Sequence, residues 1–310
     1  MNGRREARAS PRTLAIAAAA ITLAPSLFAD GTMLPEEALY RKHRQNALIN
    51  EPEQKAVIYY RNGIEDLIIS PRFEGPASRF AWVIPVPSRP KVDKLDGAIF
   101  HELERLTAPA DRPRGGTFGG APTKGVDVLE RRTVGAYDVA VLQAGQSDAL
   151  VQWLRENGFA LVPEVEGPMR AYVQERWTFV AMRVNVPDAA EGLRTGALAP
   201  IRLTFRSARC IYPLRVSSAN PKPFAVTVFV VTPLDPDADP VGLRTIPHGL
   251  ATSWVGRALW VGEPARSYAP TLARLAPGRV AVYLFHWNYR PEQCSADLVF
   301  TPTPLTPDRR

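Results

Sequence analysis

Proline recurs along the whole of this chain, 30 times in 310 residues and in no single tract. Each proline fixes its own φ and removes a backbone donor, so long uninterrupted helices are excluded and strands must be short or bounded. Thirty breakers spread this evenly describe many turns joining short elements, not one disordered linker. Within that frame the strongest local signal is a hairpin. Residues 57–61 and 64–70 are β-type runs separated by Asn62-Gly63, the pair that tolerates the positive φ angles of a type I′ turn.

Residues 80–84 (Phe-Ala-Trp-Val-Ile) read as a further strand, which Pro85, Pro87 and Pro90 should end or confine to a sheet edge. Leu95, Ile99, Phe100, Leu103 and Leu106 recur at helical spacing, giving an amphipathic helix over 93–106. Residues 126–133 and 136–143 read as strands. Ser147 caps a short helix that Gly158 ends, and Pro168 opens another up to Arg176. Further β-type runs cover 177–186, 201–206, 211–216, 224–232, 259–262, 280–289 and 298–300, with one more helix over 268–275. Strands follow strands without regular helical crossovers. The expected fold class is therefore α+β, mainly antiparallel sheets with a few short helices.

The N-terminus has its own character. Arg4, Arg5, Arg8 and Arg12 precede an apolar run from Leu14 to Ala24, and Leu27-Phe28-Ala29 closes it with a small residue. That order is the one of a secretory signal peptide, so residues 1–29 are expected to be removed and residues 30–310 to form an exported domain, periplasmic or extracellular. The domain is large enough for one body or two lobes, with a flexible loop at 110–125 containing Gly115-Gly116 and Gly119-Gly120. That loop lacks the Gly-Lys-Ser/Thr order of a phosphate cradle, since Lys124 precedes Gly125 and a strand follows. The apolar run alone is short for a membrane span, the alternative being an uncleaved anchor that starts at Thr13 and borrows Pro25 to Ala29; no second run in the mature chain approaches spanning length.

The net charge of +7 overstates the mature basicity, because the signal holds four of the 38 basic residues and one of the 31 acidic ones. The remaining basic residues read as a solvated surface, which gives no footprint for nucleic acid. Cys210 and Cys294 are the only cysteines. In an oxidising compartment such a pair is most simply one disulfide, and closing so long a loop would contribute up to about 4.5 kcal/mol. Their separation lacks the paired spacing of a zinc site.

No catalytic, cofactor-binding or metal-ligating motif is present. The histidines, His43, His101, His248 and His286, show no metal-binding pair, and Gly145-Gln146-Ser147-Asp148 misses the last glycine of a nucleophile elbow. The weaker candidates are four. Tyr137-Asp138 offers an acid and a hydroxyl, though adjacent strand residues face opposite ways. His286 could line a pocket. Trp82 with Pro85 and Pro87 could form an open strand edge that accepts a partner. Trp254, Trp260, Trp287, Tyr268 and Tyr289 could stack on sugar rings.

Several segments together resemble one known family. They are Glu51-Pro52-Glu53-Gln54-Lys55-Ala56-Val57-Ile58, Phe80-Ala81-Trp82-Val83-Ile84-Pro85-Val86-Pro87, Thr133-Val134-Gly135-Ala136-Tyr137-Asp138, Trp153-Leu154-Arg155-Glu156-Asn157-Gly158-Phe159, and Leu198-Ala199-Pro200-Ile201-Arg202-Leu203 running on to Cys210-Ile211-Tyr212-Pro213-Leu214-Arg215. The chain over about 31–232 is similar to the bacterial domain-of-unknown-function family 2330. The resemblance implies an exported bacterial protein and brings no activity with it. Members often carry a cysteine after the signal; Asp30-Gly31-Thr32-Met33 stands here instead, so no lipid anchor is implied.

The sequence thus points to a non-catalytic binding or structural module of the cell envelope, acting on an unidentified envelope protein or ligand and using no cofactor. The alternative is a periplasmic hydrolase whose site is assembled from distant residues.

Overall fold

A computed structural model describes residues 31–76, 79–108, 133–134, 137–143, 149–185, 194–234, 242–246, 257–261 and 265–303. The signal segment, the glycine loop, all but Thr133 of the strand expected over 126–133, Ser147, His248 and Trp254 lie outside the described residues.

The chain opens with strand β1 (Thr32–Pro35), helix α1 (Glu37–His43), the hairpin strands β2 (Glu53–Arg61) and β3 (Ile64–Ile69), and β4 (Arg72–Gly75). Then follow β5 (Arg79–Val86), β6 (Lys91–Lys94), α2 (Ala98–Thr107), β7 (Thr133–Val134), β8 (Tyr137–Gln143), α3 (Ala149–Glu156) and α4 (Pro163–Gln174). The second half carries β9 (Thr178–Asn185), β10 (Arg194–Ala197), β11 (Ile201–Arg206), β12 (Cys210–Tyr212), β13 (Phe224–Pro233), β14 (Gly242–Ile246) and β15 (Arg257–Val261). It ends with α5 (Ala265–Tyr268), α6 (Pro270–Leu275), β16 (Gly278–Tyr289) and β17 (Leu298–Thr303).

The strands form a seven-stranded sheet in the order β15-β16-β13-β2-β3-β11-β6, a five-stranded sheet β1-β5-β9-β8-β7, a three-stranded sheet β12-β17-β14 and the pair β10-β4. All pairings are antiparallel except β2 with β13, so the α+β expectation stands. The period-two alternation of these strands builds the layers. Ala56, Ile58, Leu67 and Ile69 face Trp82, Ile84, Val180 and Met182, joining the two large sheets in one core. The opposite face of the five-stranded sheet, through Ala81, Val83, Phe179 and Ala181, packs on Leu150, Leu154, Val165 and Met169 of α3 and α4. The opposite face of the seven-stranded sheet, through Val57, Ile68, Phe229 and Val280, packs on Ile99, Leu103 and Leu272 of α2 and α6. The body is a four-layer α-β-β-α stack.

Local chemistry accounts for the joints. Arg61 pairs with Ile64 across Asn62 (φ 49°) and Gly63 (φ 73°), the expected I′ turn. Helix α3 ends in a Schellman motif. Gly158 lies at φ 76°, Phe159 N–H donates to the Leu154 carbonyl (2.8 Å) and Gly158 N–H to the Arg155 carbonyl (3.1 Å). Helix α4 ends the same way, with Arg176 (φ 59°) in the glycine position and Trp177 packed at a tilt against Tyr172, ring centroids 4.8 Å apart. This helix starts at Pro163, not at Pro168 as expected; Pro163 supplies the fixed first-turn φ, with Glu164 and Glu166 facing the positive end of the helix dipole.

Two other expectations are corrected. Strand β5 ends at Val86, before Pro87, as expected, but it is not an edge: it pairs with β1 on one side and β9 on the other, with Trp82 fully buried. Pro85 is tolerated because β1 reaches only as far as Val83, so no donor is needed beyond it. The helix expected from Asp93 begins at Ala98, because Lys91–Lys94 is the outer strand β6 beside β11.

A polar seam and a groove around Arg215

The stretch from Cys210 to Asn220 links several buried polar groups of distant segments, among them Glu51, Gln54, Glu65 and Asp297. Strand β12 stops after Tyr212 because Pro213 follows, and the chain turns into a 3-10 segment, Arg215–Ala219. This stretch lies where the three-stranded sheet meets the other layers. Its side chains and backbone reach into β2, β3, α4 and the segment before β17.

Gln54 sits fully buried on β2. Its amide donates to Ser217 Oγ, and its carbonyl oxygen accepts the Tyr212 hydroxyl at 2.8 Å. Asn220 closes a reciprocal pair with Glu51, accepting from the Glu51 N–H at 2.9 Å and donating to its carbonyl at 2.8 Å. These bonds satisfy groups that would otherwise cost about 1–3 kcal/mol each when buried alone. They also join two of the segments that carry the family resemblance, 51–58 and 210–215.

Arg215 is the centre of the seam. Its guanidinium meets Glu175 at 2.8 Å and Asp297 at 3.1 Å, and lies over the Tyr172 ring with Cζ 4.4 Å from the ring centroid. Its backbone N–H donates to Asp297 Oδ1 at 2.9 Å, and the Tyr172 hydroxyl donates to the same oxygen at 2.5 Å. Burial raises the Asp297 carboxyl above its usual range, against the lowering effect of these bonds. Burial and the neighbouring Asp297 charge push the Tyr172 hydroxyl well up, so it stays a donor.

A groove of about 480 Å³ opens above this cluster. Gly167, Pro168 and Ala171 of α4 form one wall, Arg215 and Ser218 line it from the 3-10 segment, and Pro291, Glu292, Cys294 and Ser295 complete it. Small residues make the space. Pro168 inside the helix also deprives the Glu164 carbonyl of its normal helical donor beside this wall.

Nearby, β3 carries two adjacent buried acids on opposite faces. Asp66 accepts from Arg61 (2.6 Å), Arg202 (2.9 Å) and Thr204. Burial would raise its carboxyl, but those bonds outweigh it and hold the pKa low. Glu65 has no such support. It is fully buried, and its one bond is from the Ile211 N–H to Oε2 at 3.0 Å; Oε1 has no partner among the described residues. A hydrogen bond to a charge is worth about 1.5–3 kcal/mol. Desolvating an ion costs several. Burial therefore wins and pushes the Glu65 pKa well up, with the Asp66 charge adding to it.

The residues nominated from sequence fall mostly into structural places. In place of the expected disulfide there are two separate buried free thiols. The ladder sets Cys210 opposite Phe300 and not opposite Cys294. Cys210 lies by Glu65, whereas the Cys294 Sγ is 3.8 Å from the Arg290 carbonyl and lines the groove. Burial raises both thiol pKa values, that of Cys294 to about 12 with help from Glu292, so neither is a ready thiolate.

Tyr137 and Asp138 face opposite ways, as strand geometry requires: Tyr137 donates to the Ala199 carbonyl at 2.7 Å in the core, and Asp138 pairs with Arg183. His286 bonds to Thr227 across the ladder at 2.8 Å, and burial lowers its pKa. His101 is exposed beside Glu104. Trp287 stacks on Phe285 at 5.8 Å within the core margin, Tyr289 is buried and Tyr268 is exposed, so these three do not share one surface; the side chains of Trp254 and Trp260 are not among those described. Arg215, Asp297, Tyr172, Glu175 and Glu65 escaped sequence reasoning. The one available signal was the acid pair Glu65-Asp66 inside a strand bounded by isoleucines.

Comparison with solved structures finds baculovirus P35, at 5% identity and TM-score 0.36, over 82% of this chain and 91% of that one. A likeness at that level carries no argument about fold or function. Comparison with curated proteins finds no match. A family profile described as an uncharacterised protein conserved in bacteria (DUF2330) matches residues 40–301, which takes in the seam, the groove and the Glu65 site. The chain belongs to that bacterial family, DUF2330.

Proposed function

We propose that this protein is an exported, non-catalytic binding or structural module of the bacterial envelope, with the groove above Arg215 as its contact face. The observation that carries the reading is the fixed state of Arg215. Glu175, Asp297 and the Tyr172 ring hold it from three sides under an open groove, which gives a rigid polar floor for a partner. The chemistry of the groove supports binding over reaction: its thiol, Cys294, is held neutral by burial. Export rests on the basic-apolar-small order of residues 1–29.

Two measurements test this. Fractionation with intact mass should find the chain outside the cytoplasm, beginning at Asp30; a cytoplasmic full-length chain removes the export reading. A photo-crosslinking residue at Ser295 should capture an envelope component in cells, and Ala171→Arg, which fills the groove, should abolish that capture while the protein stays folded. Equal capture from an exposed control position such as Lys42 would remove the groove from the proposal.

A further inference from the structure

Glu65 is fully buried, its second oxygen has no hydrogen-bond partner among the described residues, and it stands at a joint between sheets. Its single hydrogen bond goes to the backbone of Ile211 in β12, the strand that leads into the Arg215 segment. The groups around it are few. Tyr60 of β2 and Phe205 of β11 flank it across the two ladders, and Cys210 of β12 approaches from the third side. Tyr60 is occupied with the Ser207 carbonyl at 3.1 Å. Asp66 points to the other face and takes Arg61 and Arg202 with it, so no cation among the described residues reaches Glu65.

We propose that Glu65 is a proton-operated catch: as the neutral acid it holds β12 against β3, and its ionisation frees that strand. The charged form has one backbone donor in place of the several a buried carboxylate needs: the Tyr60 hydroxyl is taken by Ser207, and the Cys210 thiol is only a weak donor. Opening the joint lets water reach the carboxyl. The catch is therefore closed at low pH and loosens as pH rises. The sign follows from linkage: the closed form binds the proton and the open form, titrating near the ordinary value of about 4.3, does not. Over that window the open population grows about tenfold for each pH unit. The segment released is the one that carries Arg215, so the groove inherits the same dependence. The catch itself stands whether or not the groove binds a partner.

The test uses hydrogen exchange of the Ile211 amide between pH 5 and 8 in the full-length folded protein. Base catalysis alone raises exchange about tenfold per unit. The wild type should rise more steeply than this wherever the closed form keeps its proton, and Glu65→Gln, neutral at every pH, should show the base-catalysed slope only. Equal slopes in the two proteins would overturn the proposal. Should Glu65→Gln fail to fold, carbon NMR of the wild type labelled at glutamate carboxyls decides alone. One signal in the neutral-acid position at pH 7 supports the catch, and a full set of ionised carboxylates refutes it.

Discussion

Arg176 closes helix α4 in a backbone conformation that suits glycine, at φ 59°. An L-residue with a Cβ is strained there by about 1–2 kcal/mol, partly offset by the lower chain entropy of arginine in the unfolded state. Arg176→Gly should therefore raise stability by up to about 1 kcal/mol, read as an upward shift of the denaturant midpoint. Asp66 tests the opposite electrostatic sign to Glu65. Its lowered pKa means that its contribution is present above the unfolded value of about 3.9 and disappears as pH falls through the folded one. Asp66→Asn should flatten the acid side of the stability profile and cost about 2 kcal/mol at pH 7. That is less than the ~3–5 kcal/mol of a fully enclosed broken pair, because Arg61 and Arg202 both reach solvent. The thiols give a third measurement: a maleimide should label neither cysteine quickly in the folded protein and both after denaturation without reductant. No labelling under the second condition would establish the disulfide that the structure lacks.

Elements were legible where their signal was local. Asn62-Gly63 announces its hairpin from two residues, and Gly158 announces the end of α3. The short strands β1, β4, β10 and β14 were not legible, because four or five residues paired to distant partners leave no periodicity to read. The same reason hides the seam. Arg215 meets Glu175 and Asp297 through tertiary packing alone, with no fixed spacing between them. Proline misled in both directions: Pro168 drew attention from the true start at Pro163, and Pro85 suggested an edge to a strand that has neighbours on both sides. Helix α6 shows how far such help can come from. It is only Pro270–Leu275, too short to persist by itself. The buried Glu102 of α2 accepts from the N–H groups of Thr271 (3.0 Å) and Leu272 (2.8 Å), doing from a distance what an N-cap does locally. Glu102→Ala should cost about 2 kcal/mol and raise exchange at those two amides before the rest of the helix.

On the scale of the whole molecule, the seven-stranded sheet turns on its one parallel ladder, β2 against β13. The hairpin that sequence reveals so plainly is only the middle of that sheet, and its outer side is completed by residues from the far part of the chain. Such a topology is dominated by non-local contacts, which form late and slowly. A chain ending at Ala219 keeps β2 and β3 but loses β13, β16 and β17, and so should show no cooperative unfolding transition and rapid proteolysis.

The parallel ladder also sets an order of events. A chain emerging from its N-terminus offers an apolar hairpin with one side bare until Phe224–Pro233 has followed it. Until then the large sheet lacks an inner strand, and the polypeptide stays slack. The late strand acts as a timer, so that the core closes only after most of the chain has been made.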